Sequence, residues 1–261
     1  VRHDEFIPAD LLPTFHWATI VAHLHRIPDL AEQHVVWEDD VVLGRRLDPR
    51  TFFADDGLLA PGWETSPIVP GLAPLLGTYQ RNLEESARAL RRITGRRRTS
   101  WLFAHAPLAA TRTSWARFHA LFAADPAYRD TVSRRSRGDE HRCPTVDPCV
   151  LYANWVECEL RRSGEVERVS SVLGRLGRAA ITRLLRPSKG SAQRFAKYPV
   201  VNDAKRMAAN MRRLLAENAV FANVNDEAYD GWEGEGISPA SVAALEAALG
   251  RLFPDPCRHE L

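Results

Sequence analysis

Short β-branched and aromatic runs alternate with stretches of helical period along this chain, and that alternation leaves few architectures open. His34 to Trp37, Val41 to Leu43, the apolar Trp101-Leu102-Phe103 and Val220 to Val224 have the composition of strands. Between them, apolar residues recur at helical spacing over Trp17–His25, Gln80–Ile93, Ser114–Phe122, Asp147–Leu160 and Asp203–Glu217, and a C-terminal helix begins after a capping Ser238. Helices interleaved with short strands predict an α/β fold, a mixed sheet flanked by helices. Pro8 and Pro13 mark the first residues as loop, and the Gly/Pro-rich stretch 54–77 reads as an irregular surface excursion.

With 261 residues, 45% of them hydrophobic, the chain has enough apolar mass for a packed core. The net charge of +2 is small, but arginine dominates the basic side, with Lys189, Lys197 and Lys205 the only lysines. Arginine suits carboxylate and phosphate partners, but a high-GC codon choice is the favoured explanation of the bias. Basic residues mixed with acids, without an aromatic stacking pattern, argue against nucleic-acid binding. Cys143, Cys149, Cys158 and Cys257 are too sparse for a disulfide framework and have no Cys-x-x-Cys spacing, so a reduced, cytoplasmic setting is expected. No apolar run approaches a membrane span. Residues 166–186 form a basic amphipathic stretch that suits packing on its own domain and, as the second reading, peripheral membrane contact; Pro187 to Ser191 is the linker candidate. The opening at Val1, within a strand-and-loop pattern, suggests a GTG start or a fragment.

Several constellations could carry chemistry. Glu38-Asp39-Asp40 sits between two strand-like runs, where adjacent carboxylates suit a hard divalent cation; a plain hairpin turn is the bland alternative. His16, His23 and His25 lie on or beside the first helix, and His105 follows the Trp101-Leu102-Phe103 strand. His23 and His25 are two apart and on a helix would face different ways, which makes a zinc site a poor reading. His105, before Pro107, is placed for proton transfer or for binding a phosphate, with a histidine satisfied by backbone at a strand end as the equal alternative. Arg134, Arg135 and Arg137 could neutralise phosphoryl oxygens, or simply face solvent. Asn225-Asp226 closes a strand and is either a turn or a ligand site. There is no Gly-x-Gly-x-x-Gly, Walker A loop or Gly-x-Ser-x-Gly elbow.

The order of these signals resembles one family. Residues 12–30, LPTFHWATIVAHLHRIPDL, followed by Glu38-Asp39-Asp40-Val41 and Gly44, are similar to the second conserved region of the Stealth proteins. His105-Ala106-Pro107, then Arg134 to Asp139 and a helix containing Tyr152, resemble the third region. Val224-Asn225-Asp226 and Leu252-Phe253-Pro254-Asp255-Pro256 resemble the fourth. On this reading the chain is one catalytic domain: 1–54 from the second region, 55–98 an insertion, 99–165 the third region, 166–194 a basic helical linker and 195–261 the fourth region. His16, Val21 and Glu38 depart from the family pattern, and the first region and the start of the second are absent.

The resemblance implies a Rossmann-like fold of the nucleotide-sugar-transferase type and transfer of a sugar-1-phosphate from a nucleotide sugar to a glycan hydroxyl in capsule or cell-wall polysaccharide synthesis. It implies Asp39 and Asp40 as ligands of Mg²⁺ or Mn²⁺, and His105, Asp226, Arg135 and Arg137 as catalytic residues. His16, His23, His25, Arg26, Arg134 and Asn225 would bind substrate. Its partners would be a nucleotide-sugar donor and a polysaccharide acceptor, with a homodimer left open. An ordinary metal-dependent glycosyltransferase and a truncated, non-catalytic glycan- or partner-binding module are the rival readings.

Overall fold

The computed structural model describes residues 1–44, 52–54, 57–58, 63–67, 78–95, 101–103, 107–136, 145–156, 195–198, 200–201, 203–217, 221–224 and 237–255. In chain order these form α1 (Trp17–Ala22), β1 (Gln33–Val36), β2 (Val41–Leu43), β3 (Phe53–Ala54), β4 (Gly57–Leu58), β5 (Trp63–Pro67), α2 (Thr78–Thr94), β6 (Trp101–Phe103), β7 (Leu108–Thr111), α3 (Arg112–Phe122), α4 (Pro126–Val132), α5 (Pro148–Trp155), β8 (Phe195–Lys197), α6 (Ala204–Glu217), β9 (Phe221–Asn223) and α7 (Pro239–Leu252). The class is mixed α/β, as expected. The described strands fall into small sheets: β1 with β7, β3 with β4, β5 with β6, and β2-β9-β8. Only β8 and β9 among them run parallel. The stretch expected to be irregular carries β4 and β5.

The chain forms two compact units. The first comprises residues 1–36, 49–104 and 108–183. Its centre is the ring of Phe118, which meets Trp115, Phe122, Tyr128, Tyr152 and Trp155 at centroid distances of 4.8 to 5.9 Å. Tilted and edge-on aromatic pairs of this kind add about 0.5–1.5 kcal/mol each beyond the area they bury. Trp115 Nε1 donates to Ala22 O (3.3 Å), and Tyr152 Oη shares a hydrogen bond with Ser114 Oγ (2.6 Å). Thr111 caps α3 through a reciprocal pair with Ser114, and Asp125 caps α4 by accepting from Ala127 N and Tyr128 N. The Asp125 carboxylate, itself fully buried, also receives Arg92 from α2 through Nε (2.6 Å) and Nη2 (3.1 Å). Arg92 thereby joins the end of α2 to the start of α4.

The second unit comprises residues 37–48, 105–107 and 184–261. Here β9 lies between antiparallel β2 and parallel β8, and α6 packs on α7 through Met207, Met211, Leu214 and Ala248. Ser238 caps α7 as the sequence predicted. Tyr198 is fully buried, and its hydroxyl donates to Glu217 Oε2 (2.9 Å). Arg213 holds the other Glu217 oxygen (3.0 Å).

The first helix is shorter than its period suggested. α1 stops at Ala22, and Leu24–Arg26 continues as a 3₁₀ turn. The cause is His23, whose Nδ1–H donates to Thr19 O (2.7 Å), the carbonyl its own backbone N–H would take in an α-helix. That N–H turns instead to Ile20 O (3.2 Å), and the chain tightens before Pro28 ends it.

Candidate functional site

The change of helix type undoes one sequence argument. His23 and His25 do not face apart: each ring lies 5.0 Å from the ring of His119 on α3. All three imidazoles are anchored through Nδ1, His23 to Thr19 O, His25 to Ala22 O (3.1 Å) and His119 to the Tyr128 hydroxyl (3.0 Å). For His23 and His25 a carbonyl acceptor requires Nδ1 to carry the proton, so Nε2 is the bare nitrogen. Burial pushes the His25 and His119 pKa values down to about 4, and the neighbouring imidazoles and Arg26 push the same way. His23 is lowered too, burial outweighing its bond to Thr19 O. The cluster is therefore neutral at physiological pH. Among the described residues no group of three or more His, Cys, Asp or Glu side chains is arranged to hold a metal ion.

His25 also lines an open cleft of about 500 Å³ in the first unit. Arg26, Ile27, Pro28 and Asp29 form one wall, and Arg112, Thr113, Ala116 and Arg117 of α3 form the other. Asp29 takes the left-handed conformation (φ 58°), which Asp tolerates better than most residues and which turns the chain sharply after Pro28.

His16 lies elsewhere. It is fully buried, with Nδ1 3.3 Å from Thr19 Oγ1, so it has no surface to offer a substrate and holds the loop before α1. His23, 3% exposed, is interior as well. The backbone of the arginine pair serves the same loop: Arg134 O accepts from Thr14 Oγ1 (3.0 Å) and Thr19 Oγ1 (2.7 Å), and Arg135 O accepts from Phe15 N (2.7 Å). The Arg134 side chain pairs with Asp130 (2.5 Å), and Arg135 Nη2 donates to Asp10 O (2.8 Å). Arg137 lies outside the described residues, as do His105, Asn225, Asp226 and the basic stretch 166–186.

The acidic triplet is not the turn of a hairpin. β1 pairs with β7 whereas β2 pairs with β9, so Glu38-Asp39-Asp40 joins strands of different sheets. Val41 N donates to Glu38 O (3.2 Å), and Trp37 Nε1 donates to Val41 O (2.7 Å), closing the turn from its outer side. Asp40 Oδ2 accepts from Asn223 Nδ2 (3.0 Å), and Asp40 O accepts from Val224 N (2.7 Å). The pairing of β2 with β9 thus sets Asp40 against Val224, the residue immediately before Asn225-Asp226. Two neighbouring carboxylates, Asp39 exposed and Asp40 half-buried and oriented by an amide, are an all-oxygen donor set that fits Mg²⁺ or Mn²⁺.

Comparison with known proteins bears on what such a site serves. The capsular polysaccharide phosphotransferase WcwK of Streptococcus pneumoniae is 41% identical over 70 residues, 27% of this chain and 21% of the relative. The capsular polysaccharide phosphotransferase LcbA of Aeromonas hydrophila is 45% identical over 58 residues, covering 22% of this chain and 16% of its own length. Part of this chain is homologous to the capsular polysaccharide phosphotransferases. An exopolysaccharide phosphotransferase of Lactiplantibacillus plantarum is 36% identical over 70 residues, with 27% of this chain and 21% of the relative covered. No family model matches the chain. The matches span about a fifth of the length of the curated phosphotransferases, so the similarity is strong and local.

Set beside the phosphotransferase similarity, three residues near His25 and Arg26 went unread in the sequence: His119, Arg112 and Arg117. None belongs to a motif. Their only signal is position, because α3 carries them on the turns that face the 3₁₀ segment, which the chain alone does not reveal. No helix among the described residues is long and apolar enough to cross a membrane.

Proposed function

We propose that this chain carries the acceptor-side and metal-binding part of a sugar-1-phosphate transferase that moves a sugar-1-phosphate from a nucleotide sugar of the UDP-N-acetylhexosamine kind to a glycan hydroxyl. The product would be a phosphodiester in a capsule or cell-wall polysaccharide. The observation that carries this reading is the 41% identity, over 70 residues, to a capsular polysaccharide phosphotransferase. The seating of Asp40 against Val224 supports it by bringing the acidic turn next to the stretch that continues into Asn225-Asp226.

In this reaction the glycan hydroxyl attacks the phosphorus that bears the sugar. The bond from that phosphorus to the bridging oxygen breaks, a nucleoside monophosphate leaves, and the hydroxyl proton goes to a base. Such chemistry depends on positioning and on neutralising phosphoryl charge. Asp39 and Asp40 would hold Mg²⁺ or Mn²⁺, which supplies charge neutralisation to the diphosphate. His105 or Asp226 would take the proton, and Arg135 and Arg137 would face the phosphoryl oxygens. His25 and Arg26 would touch substrate, whereas His16, His23 and Arg134 position the segment that bears them. A Rossmann-like donor frame belongs to the same proposal, as does the division into second, third and fourth conserved regions with the 55–98 insertion.

The test is product analysis with the protein, Mg²⁺, a panel of nucleotide sugars and a glycan acceptor. Release of the nucleoside monophosphate is expected. Release of the nucleoside diphosphate would identify an ordinary glycosyltransferase and remove the proposal.

A further inference from the structure

The cleft beside His25 is lined mainly by positive charge among the described residues. Three guanidinium groups line it: Arg26 at the end of the 3₁₀ turn, and Arg112 and Arg117 on α3. All three residues are exposed at its mouth. Arg26 and Arg112 make no ion pair with any described residue, and Asp29 is the one carboxylate in the lining. His25, held neutral, adds no charge but offers a hydrogen-bond acceptor. The first two backbone N–H groups of α3 are not part of the attraction, because Arg112 N donates to Glu32 O (2.8 Å) and Thr113 N to Glu32 Oε1 (3.2 Å). What remains is a set of arginine side chains over a small floor, Ala116, within a volume at the lower end of small-ligand sites.

From this we infer that the Arg26–Arg112–Arg117 cleft is a phosphate-oxyanion site, with Arg112 and Arg117 binding residues that neither the sequence motifs nor the similarities assign. Guanidinium forks match the planar pairs of phosphoryl oxygens and bind them by charge-assisted hydrogen bonds. The Asp29 carboxylate, the Thr113 hydroxyl and His25 are placed to meet hydroxyl groups, so the ligand is a phosphate carrying a sugar and not a bare phosphate. Two sources share that chemistry: the diphosphate of a nucleotide sugar and a phosphodiester already built into the acceptor glycan. The binding itself stands on the cleft; assigning it to transfer rests on the proposal above.

The experiment is titration calorimetry of the whole chain at low salt with three probes: uridine diphosphate, a synthetic phosphodiester-linked disaccharide and the same disaccharide without phosphate. Proteins are wild type, Arg112→Ala/Arg117→Ala and, as a control on α7, Arg251→Ala. Each lost charge-assisted contact weakens binding about tenfold, so the double variant is expected to lose about a hundredfold toward at least one phosphorylated probe while Arg251→Ala loses nothing. Loss confined to uridine diphosphate places the donor in the cleft; loss confined to the phosphodiester places the acceptor there; either supports the site. Equal affinities of wild type and double variant for both phosphorylated probes overturn it. Circular dichroism of the double variant guards against unfolding, and both replaced side chains are exposed. Failure of the transferase reading is separable, because it appears as absent nucleoside monophosphate release while the calorimetric difference persists.

Discussion

Acidification should destabilise the first unit through the half-buried imidazoles of His25 and His119. His25 and His119 titrate near 4 in the folded protein, whereas an unfolded chain takes up the same protons near 6.5. A lowered folded pKa means that the native state binds fewer protons. The stability is present in full above the unfolded value and is lost as pH falls from about 6.5 toward 4. Taking each ring alone, lowering pH from 7.5 to 5 costs about 2 kcal/mol. Both rings are only half-buried and their shifts are partly mutual, so about half survives, roughly 2 kcal/mol for the pair. Urea unfolding followed by tryptophan fluorescence should show that loss between pH 7.5 and pH 5. In His119→Gln, which removes one titrating ring and keeps a polar partner for Tyr128, the pH-dependent loss should shrink by about half. Equal pH dependence in wild type and His119→Gln would show that this imidazole does not carry the loss.

Asp125→Ala removes the α4 cap and the partner of Arg92. The cap is worth about 1 kcal/mol and the charge-assisted pair about as much again, since Arg92 is exposed enough to rehydrate, so the unfolding free energy should fall by about 2 kcal/mol. Burial alone would raise the Asp125 pKa, but Arg92 and the two capping N–H groups outweigh it and hold the value below the usual carboxylate range. Its contribution is therefore lost only as pH falls below that range, which pH-dependent unfolding of wild type against Asp125→Asn will show. Asp40→Asn and His105→Ala should each reduce transfer more than tenfold without changing the thermal midpoint by more than a few degrees; a variant that keeps a tenth of wild-type turnover leaves the mechanism. Depleting divalent cations with a chelator should stop turnover, and added Mg²⁺ should restore it.

How far the sequence could be read depended on how local the cause was. The long amphipathic helices α2, α3 and α6 came out within a few residues, because their period reflects burial of one face. The Ser238 cap was legible for the same reason. α4 was missed although Asp125-Pro126 is a fair start signal, an N-cap followed by proline at the first helical position. β7 was missed because Leu-Ala-Ala-Thr has little strand propensity and becomes a strand by pairing with β1. At the site, the acidic turn was found from composition alone, but its partner Asn223 is 183 residues away and only the β2–β9 register joins them. His23, His25 and His119 meet because a side chain takes a helix carbonyl from its own backbone, a competition that residue spacing cannot express.

Sugar-1-phosphate transfer is decided by the fate of one phosphorus atom. With a nucleotide sugar labelled at the phosphate that bears the sugar, and a glycan acceptor incubated with the protein and Mg²⁺, the label should pass into the glycan as a phosphodiester, with unlabelled nucleoside monophosphate released. Label retained on the nucleotide while the sugar moves to the glycan would contradict it.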